Sequence, residues 1–173
     1  MLDLISHCRA LRGTLKPTAE ATVATECACC GLPGASIRVG DDLLCMICVP
    51  AFALDTPDID TMAGVIWMPQ MDQGVLSRLV CAAHAALRPQ NTAEVQERAR
   101  NALDSLADLR SASRRRVGTY QPSVLRETAL TVPAHSLIKR RDRLSGLRIL
   151  VLDAWFQTEA RDFAALLTLR GNA

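Results

Sequence analysis

Cys27-Ala28-Cys29-Cys30-Gly31-Leu32-Pro33 and Cys45-Met46-Ile47-Cys48, separated by the 14 residues 31–44, decide how this chain reads. Cys27 with Cys30 and Cys45 with Cys48 are two C-x-x-C pairs, and two pairs at this separation are the signature of a structural Zn²⁺ site. Zn²⁺ takes four ligands tetrahedrally, at about 2.3 Å from thiolate sulfur. A C-x-x-C turn lets two sulfurs converge while the backbone between them bends away. Gly31, directly after Cys30, frees the chain to turn back. Two such knuckles close the shell and leave no open position for substrate. The candidate ligands are therefore Cys27, Cys30, Cys45 and Cys48. Cys29 is an alternative to Cys27 or Cys30, but only those two keep the two-residue spacing.

Other uses of these cysteines fit less well. Free Cys is often a small core hydrophobe, but four in this register are hard to obtain by chance. A redox dithiol needs one C-x-x-C, usually beside a βαβ pattern, and no such pattern is visible. Disulfides belong to secreted chains, and Met1 to Arg12 lacks the uninterrupted apolar stretch of a leader.

The 173 residues are 49% hydrophobic but only 3% aromatic, which favours helices over sheets. A chain of this length buries about 70% of its extended surface and does not need a metal merely because it is small. One domain over 1–173 is expected, with a zinc-finger subregion at 27–55 and a strand followed by a helical region over 65–173. Net charge is +2, unevenly spread: residues 1–90 carry 6 basic and 9 acidic side chains, residues 91–173 carry 14 and 9. The longest charge-free apolar run, Leu43 to Leu54, has 12 residues, short of the roughly 20 that span a bilayer. A cytoplasmic protein without direct membrane insertion is expected.

Along the chain, Leu2, Ile5, Cys8 and Leu11 recur at helical spacing, with His7 and Cys8 as ordinary helix residues. Residues 13–26 read as a mobile connector. Between the knuckles, residues 35–44 alternate around Gly40-Asp41-Asp42 as a short hairpin. Pro50 starts a helix, and Asp55-Thr56-Pro57 stops it. This order, knuckle, hairpin, second pair and helix, is that of a treble-clef finger. Val65-Ile66-Trp67-Met68 is a strand. Asp72 caps a helix to about Leu87 with Val75, Leu76, Leu79, Val80, Ala83, Ala86 and Leu87 on one face. Cys81 and His84, three apart on it, read as packing before metal ligands. Asn91-Thr92-Ala93-Glu94 starts a helix to about Ser111 like a capping box, with Val95, Ala99, Ala102, Leu103, Leu106 and Leu109 on one side. The segment around Arg114-Arg115-Arg116 reads as a solvated linker. Pro122 opens a helix that ends before Pro133, and residues 139–143 form a second basic cluster. Leu147 to Phe156 is apolar and of ambiguous type. Glu159 to Leu169 closes as an amphipathic helix with Phe163, Leu166 and Leu167 inward. The fold class is α+β, mainly helical, with a small treble-clef-like zinc finger and a helical C-terminal part.

Several segments in order resemble one family: residues 45–54, then Val65-Ile66-Trp67-Met68-Pro69-Gln70-Met71-Asp72-Gln73, Val117-Gly118 with Pro122, and residues 144–150 with Trp155 beyond. They are similar to the IcmJ/DotN family of the type IVB (Dot/Icm) secretion apparatus, over about residues 27–156. The resemblance implies an HNH-like treble-clef zinc core in a non-enzymatic subunit of the coupling complex. It also implies partners: the cytosolic C-terminal tail of the membrane-bound coupling ATPase and other coupling-complex subunits. Localisation would then be peripheral to the inner membrane through those partners. The chain departs from the family pattern in three places. It lacks a longer inter-knuckle segment with His and Asn, a His near Ala53, and a Pro in the Leu-Pro motif near Ile149-Leu150.

Those departures bear on catalysis. HNH cleavage needs a His general base and His or Asn side chains on the catalytic metal, and no His lies between Cys8 and Ala83. Asp41-Asp42 read as turn chemistry. No catalytic residue is assigned. The competing readings are a nucleic-acid-binding zinc module using Arg114 to Arg116 and Lys139 to Arg143, a degenerate HNH nuclease-like protein, and a thiol oxidoreductase. Low net charge and the lack of aromatics among the arginines argue against nucleic acid.

Overall fold

The computed structural model describes residues 16–17, 25–133, 135–136, 139 and 144–171. The helix expected at Met1 to Arg12 with His7 and Cys8, most of the 13–26 connector and most of the 139–143 cluster lie outside the described residues.

The hairpin forms where alternation predicts it. β2 (Ile37–Val39) pairs antiparallel with β3 (Asp42–Leu44), in the register Ile37↔Leu44, Arg38↔Leu43 and Val39↔Asp42. Gly40 turns the chain at φ +60°. Within the expected connector, β1 (Lys16–Pro17) adds a third strand on the outer edge of β2. An edge is where a proline without an N–H is tolerated in a sheet. After the Cys45–Cys48 turn comes α1 (Val49–Phe52), with Pro50 in its first turn. A second single-turn helix, α2 (Ile59–Met62), runs directly into β4 (Ala63–Trp67). The strand thus begins two residues earlier than expected and ends before Met68.

β4 pairs antiparallel with β5 (Leu147–Val151) over five rungs, from Ala63↔Val151 to Trp67↔Leu147. All of β5, and β4 up to Ile66, are buried on both faces. That accounts for the ambiguity of 147–156: a strand without a solvent face shows no alternation. The stretch divides at Leu152 into β5 and α7 (Asp153–Thr158). The buried backbone finds partners outside the ladder. The Val65 N–H donates to the Tyr120 carbonyl at 2.7 Å. The Gln73 amide serves the far edge of β5, donating to Ile149 O at 2.9 Å and accepting from Ile149 N at 2.8 Å. Arg148, buried within β5, directs its guanidinium to the carbonyls of Met71, Ser145 and Leu147.

α3 (Gln73–Ala86) is capped as expected, Asp72 Oδ1 accepting from Val75 N at 2.7 Å. Its buried stripe is broader and more polar than the apolar pattern: Gln73, Ser77, Cys81 and His84 are buried with Leu76, Val80 and Ala83, whereas Leu79 is 38% exposed. The helix packs on β5 and on α4 (Ala93–Asp108) together, so side chains flanking the apolar stripe also turn inward. The cap of α4 is Thr92, whose hydroxyl accepts from Val95 N at 3.4 Å. Glu94 is thus one residue short of the capping-box position and pairs instead with Arg98, one turn on. Only Ala99 and Leu106 of that helix are buried, and Val95 is 40% exposed.

The segment read as a solvated linker is a helix, α5 (Arg110–Val117), packed along β4. Ser113 is fully buried, and its hydroxyl donates to Thr119 O at 2.9 Å. Gly118 ends the helix in the left-handed conformation at φ +85°. Its inner positions are small or polar, so no apolar period marks them, while Arg114 and Arg115 face solvent. α6 (Pro122–Thr131) starts at its proline as expected. α8 (Ala160–Leu169) buries Phe163, Leu166 and Leu167. The result is a mixed α/β fold, mostly helical, with two small antiparallel sheets. One contiguous buried cluster runs from Cys27 to Leu167. Among the described residues no helix is long and apolar enough to cross a membrane.

Candidate metal centre

The two knuckles meet. The ligand atoms of Cys27, Cys30, Cys45 and Cys48 all lie within 4.8 Å of one another, and all four side chains are buried. Cys30 Sγ and Cys45 Sγ are 3.8 Å apart. A tetrahedral ion with sulfur at about 2.3 Å would space its ligands about 3.8 Å apart, the separation of this pair, so the donor set suits such an ion. Local backbone geometry produces this convergence. The Gly31 N–H donates to Cys27 O at 2.8 Å, closing the first turn, and Gly31 leaves it at φ +70°. The second turn closes through Cys48 N to Cys45 O at 2.9 Å. The Cys45 N–H also donates to Cys27 Sγ at 3.3 Å, an amide-to-sulfur bond that stabilises negative charge on that thiolate.

Electrostatics make the cluster a poor home for protons alone. The neighbouring Cys30, Cys45 and Cys48 side chains hold Cys27 far below the ordinary thiol range. Cys27 pushes Cys30 up, but Cys45 and Cys48 pull it down further, to about 7. Cys45 and Cys48 are both pushed well above the usual range, first by Cys27. The four thiols thus do not readily ionise together on their own. A divalent cation would instead let all four ionise, which is the usual coupling of metal binding to proton release.

Residues distant in the chain support the knuckles. Arg170, just past α8, donates from Nε to Pro33 O at 3.0 Å, from Nη2 to Cys30 Sγ at 3.8 Å and from Nη1 to Cys81 Sγ at 3.6 Å. Arg78 on α3 donates to Cys30 O at 2.9 Å. Trp155 on α7 donates its indole N–H to Met46 O at 3.0 Å, inside the second knuckle. α3 approaches so closely that a Cβ at Gly74 would lie 2.1 Å from Cys29 O. None of these partners carries a sequence signal, because each contact joins residues 45 or more positions apart.

Cys29 is half-buried and outside the group of four. Cys81 and His84 do not share a site: Cys81 faces Arg170, while His84 stacks on Phe156 with ring centroids 3.7 Å apart. Burial pushes the Cys81 thiol up, with Arg170 opposing. Asp41 and Asp42 stay at the hairpin tip and start of β3. No family model matches this chain, and a comparison with curated proteins finds no match.

Proposed function

We propose that this protein is a non-enzymatic adaptor whose finger is held by one structural Zn²⁺ on Cys27, Cys30, Cys45 and Cys48. The observation that carries this reading is the buried, convergent set of four sulfurs. An all-thiolate tetrahedral set suits Zn²⁺ among the common divalent ions. With all four positions taken by protein, the ion has no place for water or substrate and acts as a structural tie. The order of knuckle, hairpin, second knuckle and short helix supports a treble-clef description of residues 27–55.

The partner follows from the resemblance to the IcmJ/DotN family. On that reading the protein binds the cytosolic tail of a type IVB coupling ATPase, with other coupling-complex subunits, and works at the cytoplasmic side of the inner membrane. A segment of partner chain would be recognised by helical faces, which dominate the structure outside the finger. Arg114 and Arg115 are exposed and leave room for a nucleic-acid reading, but Arg116 is stacked on Trp67, 3.7 Å from the ring centroid. Co-purification of the zinc-loaded protein with the ATPase tail at physiological salt tests the adaptor reading. No retention of the tail, together with salt-sensitive retention of duplex DNA, would replace it with nucleic-acid binding.

A further inference from the structure

A cleft of about 480 Å³ opens between α3, α4, the end of β5 and the start of α7. Its size is in the range of small-ligand sites. Two of the residues that line it carry a buried nitrogen without a hydrogen bond, His84 Nε2 and Arg110 Nε. His84 is only 7% exposed and is fixed by stacking on Phe156. Its Nε2 lies 3.4 Å from the largely exposed carboxylate of Asp153, an approach that makes no hydrogen bond. No carboxylate among the described residues forms an ion pair with Arg110. The Arg110 stem is seated on β4 because Gly64 has no side chain: a Cβ there would be 3.2 Å from Arg110 Cδ. A buried guanidinium nitrogen without an acceptor is costly, and native proteins leave few such groups unmatched. Two in one cleft point to a missing acceptor. Arg100, on the α4 wall, adds a second positive charge.

We propose that this cleft binds a small molecule through a phosphate or carboxylate group, whose oxygens accept from the Arg110 guanidinium and His84 Nε2 with Arg100 at the rim. A planar guanidinium suits the paired oxygens of either group. Asp104, in the same lining, accepts from a hydroxyl or amine elsewhere on the ligand and disfavours a second anionic group near it. The proposal does not rest on the metal centre or the adaptor reading.

The test is calorimetric titration of the full, metal-loaded chain with inorganic phosphate and, separately, acetate. Saturable binding of either supports the site, and the tighter anion identifies the class. Arg110→Gln should weaken binding about 10-fold or more, the loss expected for one charge-assisted hydrogen bond. His84→Gln should weaken it by a smaller factor, and Arg115→Gln on the solvent side of α5 should leave it unchanged. Should Arg110→Gln fail to fold, Arg100→Gln decides, with an expected loss of roughly 3-fold. The proposal is overturned if neither anion binds saturably at millimolar concentrations. Equal weakening by Arg115→Gln, or unaltered binding in both Arg110→Gln and Arg100→Gln, overturns it too. Binding of Mn²⁺ in place of any anion, lost in His84→Gln, would make the cleft a cation site and equally overturn it.

Discussion

The finger and the β4–β5 ribbon are both short, antiparallel and buried, yet they are held by different forces. In the finger the strands are three residues long and α1 is four, and four sulfurs share the interior with Leu44, Ile47 and Val49. The ribbon has five rungs, each with at least one branched or aromatic side chain, and Gln73, Arg148 and the Tyr120 carbonyl take up leftover polar groups of Ile149, Leu147 and Val65. Single hairpins are marginal in water. One of these two is completed by helices packed around it; the other has its helical contacts through Arg78 and Trp155 and, in the function proposed above, an ion as well.

The largest effect should come from removing a ligand. Cys45→Ser is expected to abolish stoichiometric zinc binding and lower the melting temperature severely, because structural zinc contributes about 10–16 kcal/mol of apparent free energy in peptide systems. Hydrogen exchange after chelation should release amides of residues 27–52 first, while those of Val65 and Ile149 stay protected. Simultaneous release across both regions would erase the distinction drawn here.

In the ribbon, Gln73→Leu strands both the N–H and the carbonyl of Ile149, at an expected cost of about 2–4 kcal/mol in denaturant unfolding, with zinc content unchanged. Gln73→Glu keeps an acceptor for the N–H but loses the donor to the carbonyl. A null result for Gln73→Leu would mean that the edge of β5 is reached by water.

Smaller still is Arg170→Gln. Its guanidinium contacts Cys30 from outside the four ligands, so the expected outcome is a metal affinity lower by about 10- to 100-fold, read by chelator competition. The zinc-saturated melting temperature should move little. The smallest effect concerns pH. Burial lowers the proton affinity of His84 below its ordinary value, so on acidification the unfolded chain takes up this proton, near pH 6.5, before the folded one does. Folding stability therefore falls as pH drops below about 6.5. The slope of stability against pH in that window should flatten in His84→Gln compared with the parent at saturating zinc.

How far these regions could be read in advance differs with their physics. Metal ligation imposes a spacing on the chain, so Cys27, Cys30, Cys45 and Cys48 announce themselves, and capping at Asp72 and the start at Pro122 are equally local. The α5 helix was hidden because the one side chain it buries is Ser113, with Ala112 and Val117 half-buried, which gives no apolar stripe, beside an arginine run that reads as solvent-facing. The five-rung ribbon was half-hidden because burial on both faces removes alternation. Gln73, Arg170 and the two orphaned nitrogens of the cleft were invisible, since their roles arise only from pairings between distant segments.

Zinc-edge X-ray absorption on the purified protein reads the atoms around the metal. One zinc per chain is expected, with four sulfur neighbours at about 2.3 Å and no lighter atom bound to it. A nitrogen or oxygen neighbour, or a protein that folds with all four thiols free and no stoichiometric metal, would contradict it.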